Sequence, residues 1–358
     1  MTAENILVTN ETTIKEALKK LDISANRVLL VIDASGVLAG TLTDGDVRRA
    51  LLAGAGMESA ILGVCNTNPS VLYEYECNEA NIRSLFLSRK LDLIPVLNRD
   101  RTVARCLTWS DFFSGKVAPE RPRAKVDIPC VIMAGGKGTR MAPFTNVLPK
   151  PLIPIGDKTI LEHIMEQFAA SGVFRFIFTI NYRAEMIRAY FEGVEHKYNI
   201  EYVREREFLG TAGSLRLLGE SVPVKFFVSN CDIIVKADFA KVAEFHDQSE
   251  SWLTIVSAIQ HNKLPYGVVD FGLGGKVTEI REKPEYSFTI NTGVYLLDSR
   301  CIEFIPEGRP FDMPDLIKAL MADGKPVHTY PLNESEYIDV GQWDEYRSAI
   351  DKINGTRS

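Results

Sequence analysis

The sequence predicts two folded parts of different class: an α+β tandem repeat first, then an α/β domain with a mixed, mostly parallel sheet. Three observations carry this expectation. The first third repeats its own strand–turn–strand–helix order at an offset of 65 residues, from Thr43 to Thr108 and from Asp46 to Asp111. From about residue 128, short apolar runs alternate with helical segments, as crossover-connected parallel strands do. A glycine-rich loop, Ala134 to Met141, follows the first of those runs directly.

In the repeat, Thr13 and Glu16 have capping-box spacing, and Ile14, Leu18 and Leu21 then share one helical face. Val28 to Ile32 reads as a buried strand, Asp33 to Gly36 as a turn and Val37 to Leu42 as a second strand. Thr43 then opens a helix containing Val47, Ala50 and Leu51. The second unit repeats the order: a helix over 80–87, strands Ile94 to Leu97 and Val103 to Leu107 around a turn, and a helix opened by Thr108 and Asp111. Units repeated at a fixed offset bury their apolar faces against each other. The expected boundaries are 1–118 for the tandem, 119–127 for an exposed linker with Pro119 and Pro122, and 128–358 for the second domain.

In that domain Cys130 to Met133 reads as a strand. Thr159 to Ala170 reads as a helix with Ile160, Ile164, Met165 and Phe168 inward. A strand over Phe174 to Ile180, a helix over Ala184 to Phe191 and a strand over Ile200 to Val203 follow. Ligands of such sheets bind beyond the carboxyl ends of the strands.

Composition narrows the function. A net charge of −6 gives no basic field for nucleic acid. The six cysteines are scattered with no C-x-x-C pair, which argues against zinc or redox chemistry and for reduced thiols. Met1 to Asn10 lacks the pattern of a signal peptide, and no apolar run approaches the roughly 20 residues of a membrane span. The expected location is the cytoplasm.

The glycine loop is neither G-x-x-x-x-G-K-S/T nor G-x-G-x-x-G. Its residue types still suit an anion, because glycines let backbone N–H groups approach without Cβ interference. A helix end supplies only about half a positive charge, so a triphosphate needs further cations. Arg140 and Lys150 are the nearby candidates, and Pro149 and Pro151 restrict the backbone around Lys150.

Ala134-Gly135-Gly136-Lys137-Gly138-Thr139-Arg140-Met141, followed by Leu148-Pro149-Lys150-Pro151-Leu152, resembles the signature of the sugar-1-phosphate nucleotidyltransferases, whose domain is Rossmann-like. Later segments agree in order: Leu209 to Ser214, Val228 to Asp232, Pro265 to Val269, Glu279 to Pro284, Asn291 to Tyr295 and Tyr337 to Gly341. The resemblance implies direct transfer of a nucleotidyl group to a sugar 1-phosphate with release of pyrophosphate. It implies Mg²⁺ on Asp232 and Asp339, and catalytic cations Arg140, Lys150 and Lys283. It places the nucleotide on Ala134, Gly135, Gly136, Gly138, Thr139, Glu207, Gly210 and Thr211, and the sugar on Gly267, Glu282, Asn291 and Thr292. Cys231 stands where the family usually has glycine.

The N-terminal tandem resembles a CBS pair, a Bateman module, through Thr43…Asp46 and Thr108…Asp111. That resemblance implies an adenine nucleotide on these four residues and a homo-oligomer. A threonine and an aspartate at this spacing also serve simply to cap a helix. Arg105 stands where the first unit has Gly40 and would block a ligand or contact its phosphate. The fusion, with Leu-Gly-Thr-Ala-Gly, is similar to bacterial guanylyltransferases that use glucosamine-1-phosphate in the legionaminic acid route or mannose-1-phosphate, implying GTP. The alternative is a catalytically silent nucleotide sensor.

Overall fold

The structure is a computed structural model and describes residues 6–24, 28–89, 91, 93–108, 112, 126–221 and 223–354. The chain divides into two compact units, Met1–Pro122 and Arg123–Ser358.

In the first unit, β1 (Leu7–Thr9), α1 (Ile14–Ile23), β2 (Val28–Ile32), β3 (Leu38–Thr43) and α2 (Asp44–Leu52) are followed by β4 (Leu72–Tyr73), α3 (Glu79–Arg89), β5 (Leu93–Leu97) and β6 (Val103–Thr108). The repeat is visible in the strand ladders. β2 pairs antiparallel with β3 from Val28↔Thr43, and β5 pairs antiparallel with β6 from Leu93↔Thr108, each with an irregularity after the fourth pair. Both helices of the first repeat begin with reciprocal capping boxes, Thr13 with Glu16 and Thr43 with Asp46. The two ladders meet at a bridge between Val37 and Thr102. Asp111 and most of the expected linker lie outside the described residues.

The second unit is built on a seven-stranded sheet. Its strands are β7 (Cys130–Ala134), β10 (Arg175–Ile180), β11 (Asn199–Arg204), β12 (Lys225–Asn230), β14 (Leu253–Lys263), β17 (Glu285–Asp298) and β18 (Val327–Leu332), in the order β11-β10-β7-β12-β17-β14-β18. Only β17 runs against its neighbours in this sheet. The near-continuous apolar runs follow from burial on both faces. Along β7, Cys130, Ile132 and Ala134 join one core, and Val131 and Met133 join the other.

The first core is covered by α4 (Ile160–Ala169), α5 (Ala184–Gly193), α6 (Phe239–Gln248) and α8 (Trp343–Asn354). The second is covered by α7 (Met313–Ala322) and the helical turns from Gly210 to Ser221. Small two-stranded pairs complete the unit: β8 (Pro154–Ile155) with β9 (Lys158–Thr159), β13 (Ile233–Val235) with β19 (Tyr337–Asp339), and β15 (Val268–Phe271) with β16 (Val277–Arg281). Among the described residues no helix is long and apolar enough to cross a membrane.

Candidate active site

The site forms where β7 ends at Ala134 and the chain turns over the carboxyl edge of the sheet. Gly135 is a close-approach position, since a Cβ there would lie 2.5 Å from Glu205 Oε1. Gly138 is the turn position, at φ +65°, with Thr145 and Lys150 filling the space a side chain would need. Gly136 meets nothing within 4 Å, and Thr139 and Arg140 are exposed at the mouth of the loop. These residues, with Met133, Lys150, Glu205, Phe208, Gly210, Thr211, Ser214, Asn230, Cys231 and Asp232, line one cleft.

Lys150 opens a short 3-10 turn behind Pro149 and is only 4% exposed. Its ammonium donates to Asp232 Oδ2 at 2.6 Å and to the Gly341 carbonyl at 3.1 Å. The Arg140 guanidinium lies 4.0 Å from the same aspartate oxygen. A buried ammonium is tolerated where it is paired and hydrogen-bonded in this way.

Asp232 follows β12, and Asp339 ends β19. The antiparallel pairing of Ile233 with Asp339 brings the two acids side by side. Gly341 makes their convergence possible. The point its missing Cβ would occupy is 2.7 Å from Asp339 Oδ1, 3.3 Å from Asp232 Oδ2 and 3.5 Å from Lys150 Nζ. Asp339 accepts from the Gly341 N–H at 2.6 Å and from the Tyr337 hydroxyl at 3.3 Å. Burial raises the Asp339 carboxyl above its ordinary value, the Gly341 N–H opposes that, and the charge of Asp232 adds to it. Burial pushes the Cys231 thiol up to about 12, with Asp232 contributing, so this cysteine is no thiolate nucleophile.

Two neighbouring carboxylates are the donor pair a hard divalent ion takes together with phosphate oxygens and water. Among the described residues no group of three or more His, Cys, Asp or Glu could hold a metal. An ion at Asp232 and Asp339 would therefore draw its remaining ligands from substrate and solvent.

The other expected site residues divide. Gly210 stands at φ +77°, with the Phe311 carbonyl and Asp312 Oδ1 each 2.7 Å from where its Cβ would be. Thr211 lines the cleft, but its hydroxyl is tied to Asp312 Oδ1 at 3.1 Å and to the Met313 N–H at 2.9 Å, which fastens the loop to the start of α7. Glu207 is exposed and outside the cleft lining; the acid that lines it is Glu205, two residues earlier and 4% exposed. Strand β11 hands over at Arg204, and the Leu209 N–H reaches back to Glu205 Oε2 at 3.4 Å, which turns Glu205 inward. Burial raises its carboxyl above the ordinary range.

Gly267 and Glu282 lie together at the foot of the β15–β16 pair, Glu282 Oε2 being 3.0 Å from where a Gly267 Cβ would stand. Glu282 and Lys283 are exposed, Lys283 at φ +45°, and neither lines the cleft around Lys150. Asn291 binds the Tyr295 hydroxyl at 2.8 Å and the Gly293 N–H at 3.0 Å, bracing a bulge in β17 where Asn230 fills the space beside Gly293. Thr292 is corrected: it is 1% exposed, and its hydroxyl donates to the Val256 carbonyl inside the sheet, so it offers nothing to a sugar. Sequence reasoning missed Glu205 and Asp312, because one polar residue in a short loop has no periodicity to mark it.

In the N-terminal unit, Thr43 and Asp46 are engaged with each other. Asp46 Oδ2 accepts from the Thr43 N–H at 2.8 Å and from its hydroxyl at 2.6 Å, while Arg49 pairs with Oδ1. Both carboxylate oxygens thus serve the start of α2. Thr108 is buried, and Arg105 pairs with Glu74 at 3.0 Å.

The nucleotidyl transferase family model matches residues 130–355, and the CBS domain model matches residues 1–53. A mannose-1-phosphate guanyltransferase of Yarrowia lipolytica is 35% identical over 226 residues, 61% of this chain and 62% of its own length. A UTP–glucose-1-phosphate uridylyltransferase of Synechocystis is 31% identical over 62% of this chain and 62% of its own length. The chain thus spans 62% of the length of these curated relatives. HddC from Yersinia pseudotuberculosis, solved complexed with GMP-PN, is 27% identical, with a TM-score of 0.50 over 63% of this chain and 99% of its own. With the glycine loop, Lys150 and both aspartates all inside the matched span, the chain belongs to the nucleotidyl transferase family.

Proposed function

We propose that this chain is a sugar-1-phosphate guanylyltransferase that joins GMP from GTP to a hexose 1-phosphate, glucosamine-1-phosphate or mannose-1-phosphate, and releases pyrophosphate. The convergence of Lys150, Asp232 and Asp339 around the position a Gly341 side chain would take, beside the glycine loop, carries the reading. A sugar phosphate oxygen would attack the α-phosphorus, and the bond to the leaving pyrophosphate would break in line with it. Such a transfer is catalysed by positioning and charge neutralisation, with no covalent enzyme intermediate.

The residues have distinct tasks. Backbone N–H groups of Gly135 to Gly138 approach the polyphosphate, and Arg140 at the mouth meets the charge that develops on the leaving group. Lys150 spends two of its three donors on Asp232 and Gly341 and keeps the third for a phosphate oxygen. Asp232 and Asp339 would hold Mg²⁺, which when bound supplies positive charge to the phosphates. Gly267, Glu282, Lys283 and Asn291 are assigned to the sugar side.

Support for guanine comes from Glu205. A buried carboxylate at the cleft wall can accept two N–H groups side by side, which guanine presents on its N1 and N2 and uracil does not. The names of the guanyltransferase relatives and the ligand of HddC point the same way. The nucleotide sugar would serve surface glycan or legionaminic acid synthesis in the cytoplasm. Self-association, and adenine nucleotide binding by the CBS part, belong to the same proposal. A panel of the common triphosphates crossed with glucosamine-, mannose- and glucose-1-phosphate, scored by pyrophosphate release, tests it. Preference for UTP would overturn the guanylyl assignment, and no release with any pair would favour the silent sensor.

A further inference from the structure

Beyond Asp339 the chain returns to the segment that carries Arg140 and Lys150 and is fastened to it at three carbonyl-to-donor bonds. The Gly341 carbonyl accepts from Lys150 at 3.1 Å. The indole N–H of Trp343, at the start of α8, donates to the Ala142 carbonyl at 3.1 Å, and the Tyr346 hydroxyl donates to the Pro154 carbonyl at 2.5 Å. Ala142 follows Arg140 closely in sequence, and Pro154 follows Lys150. The Trp343 ring also packs against Phe144, with centroids 4.9 Å apart and planes at 44°. Phe144 lies in a short 3-10 turn and is otherwise 55% exposed.

The tethers on this loop have a chemical direction. Side-chain donors reach the carbonyls of Gly138 from Thr145, Ala142 from Trp343, Thr145 from Tyr182 and Asn146 from Arg183. Each peptide unit has one donor and one acceptor, so a loop fastened through its carbonyls keeps N–H groups for an anion. Of these four donors, Trp343 is the one that belongs to the C-terminal segment, just past Asp339 and Gly341. Trp343 is outside the lining of the cleft, so it acts through Ala142 and Phe144. We infer, on the reading of the cleft as a nucleotidyl transfer site, that Trp343 is a positioning residue for the triphosphate: it fixes the turn that aims Arg140 and the glycine loop, and ties that turn to the segment bearing Asp339. A displacement of about 1 Å at a reacting centre costs on the order of 10²-fold in rate, so a single anchor on this turn has a kinetic consequence.

The test compares the full-length wild type with Trp343→Ala and Trp343→Phe, varying GTP and the sugar phosphate separately while pyrophosphate release is followed. For Trp343→Ala the expected result is a fall in kcat on the order of 10–100-fold and a KM for GTP raised about tenfold, with the KM for the sugar phosphate within about twofold. Trp343→Phe keeps a ring against Phe144 and loses the donor, and should lie between wild type and Trp343→Ala. Hydrogen exchange without substrate is the second readout. The hydrogen-bonded amides of Met141, Ala142, Asn146 and Val147 should exchange faster in Trp343→Ala while the urea midpoint shows the domain still folded. Kinetic constants within about twofold of wild type, or equal rises in both KM values, overturn the inference. A wild-type chain that releases no pyrophosphate with any substrate pair would remove the reading of the cleft by itself. GTP binding measured by calorimetry, which needs no turnover, then decides the role of Trp343: weaker binding by Trp343→Ala supports it, and equal affinity overturns it.

Discussion

Replacing Lys150 with methionine tests the centre of the site, because the unbranched side chain keeps most of its stem and loses the terminal ammonium with its charge and donors. Two hydrogen bonds disappear, to Asp232 at 2.6 Å and to the Gly341 carbonyl at 3.1 Å. A charge-assisted bond contributes about 1.5–3 kcal/mol, and breaking a buried pair costs about 3–5 kcal/mol when the remaining charge is enclosed. The Asp232 side chain is 16% exposed and keeps Arg140 at 4.0 Å, so solvent and the arginine relieve part of that cost. The expected loss is about 2–4 kcal/mol of unfolding free energy, together with a fall in turnover on the order of 10²–10³. Urea denaturation measures the first, and pyrophosphate release under native conditions measures the second. The double variant with Asp232→Asn should lose less stability than the two single variants added together, with a coupling of about 1–3 kcal/mol. A Lys150→Met protein within about 0.5 kcal/mol of wild type and with near-normal turnover would refute the idea that this ammonium organises the site.

Asp232→Asn on its own should abolish most activity while the fold persists, with pyrophosphate release and circular dichroism as the two readouts. His246 is buried and hydrogen-bonded to Thr254 at 2.8 Å; burial first, then Lys225, lowers its pKa from 6.5 to about 4. Its neutral form belongs to the folded state, so stability is fully present above the unfolded value and is lost as pH falls toward 4. The expected loss is about 3 kcal/mol, and His246→Phe should flatten this part of the urea-midpoint profile. Glu205 has the opposite sign for an acid: its raised carboxyl makes the ionised form costly, so stability declines as pH rises through that range. Glu205→Gln should melt higher than wild type at pH 7, converge with it in acid, and lose preference for GTP in the triphosphate panel. Asp46→Ala removes a capping box and should cost about 1 kcal/mol while basal pyrophosphate release is unchanged; loss of release in a folded protein would link the two units.

The parts of the site that were legible in the sequence are those where backbone geometry demands a particular residue. Gly138, Gly210, Gly293 and Gly341 each mark a positive φ or a place where another group occupies the Cβ position, and each sits in a recognisable motif. The strands were legible because β7 and β10 are buried on both faces and so are apolar apart from Arg175 and Thr179 of β10. Glu205 was not, because Glu205 and Glu207 sit two residues apart in one polar stretch. The inward turn depends on the Leu209 N–H and on the glycine at 135, both outside that stretch. Thr292 misled for a related reason. It lies between two residues that do face outward or turn, and only the β17 bulge decides that its hydroxyl points into the sheet. Thr43 and Asp46 fitted a cap and a ligand site equally well by spacing, and the hydrogen bonds show the cap.

The bond from Lys150 to the Gly341 carbonyl joins residues 191 positions apart. During synthesis the glycine loop, the lysine and the first aspartate leave the ribosome long before Asp339 and Gly341 do. A nascent chain can therefore complete most of the central sheet while Lys150 and Asp232 still lack their third partner. Contacts between such distant segments form late, after the closure of the intervening loops. On the proposed assignment, chemistry at this cleft would be withheld until nearly the whole domain is in place, and a chain interrupted before residue 339 would lack both Asp339 and the Gly341 carbonyl.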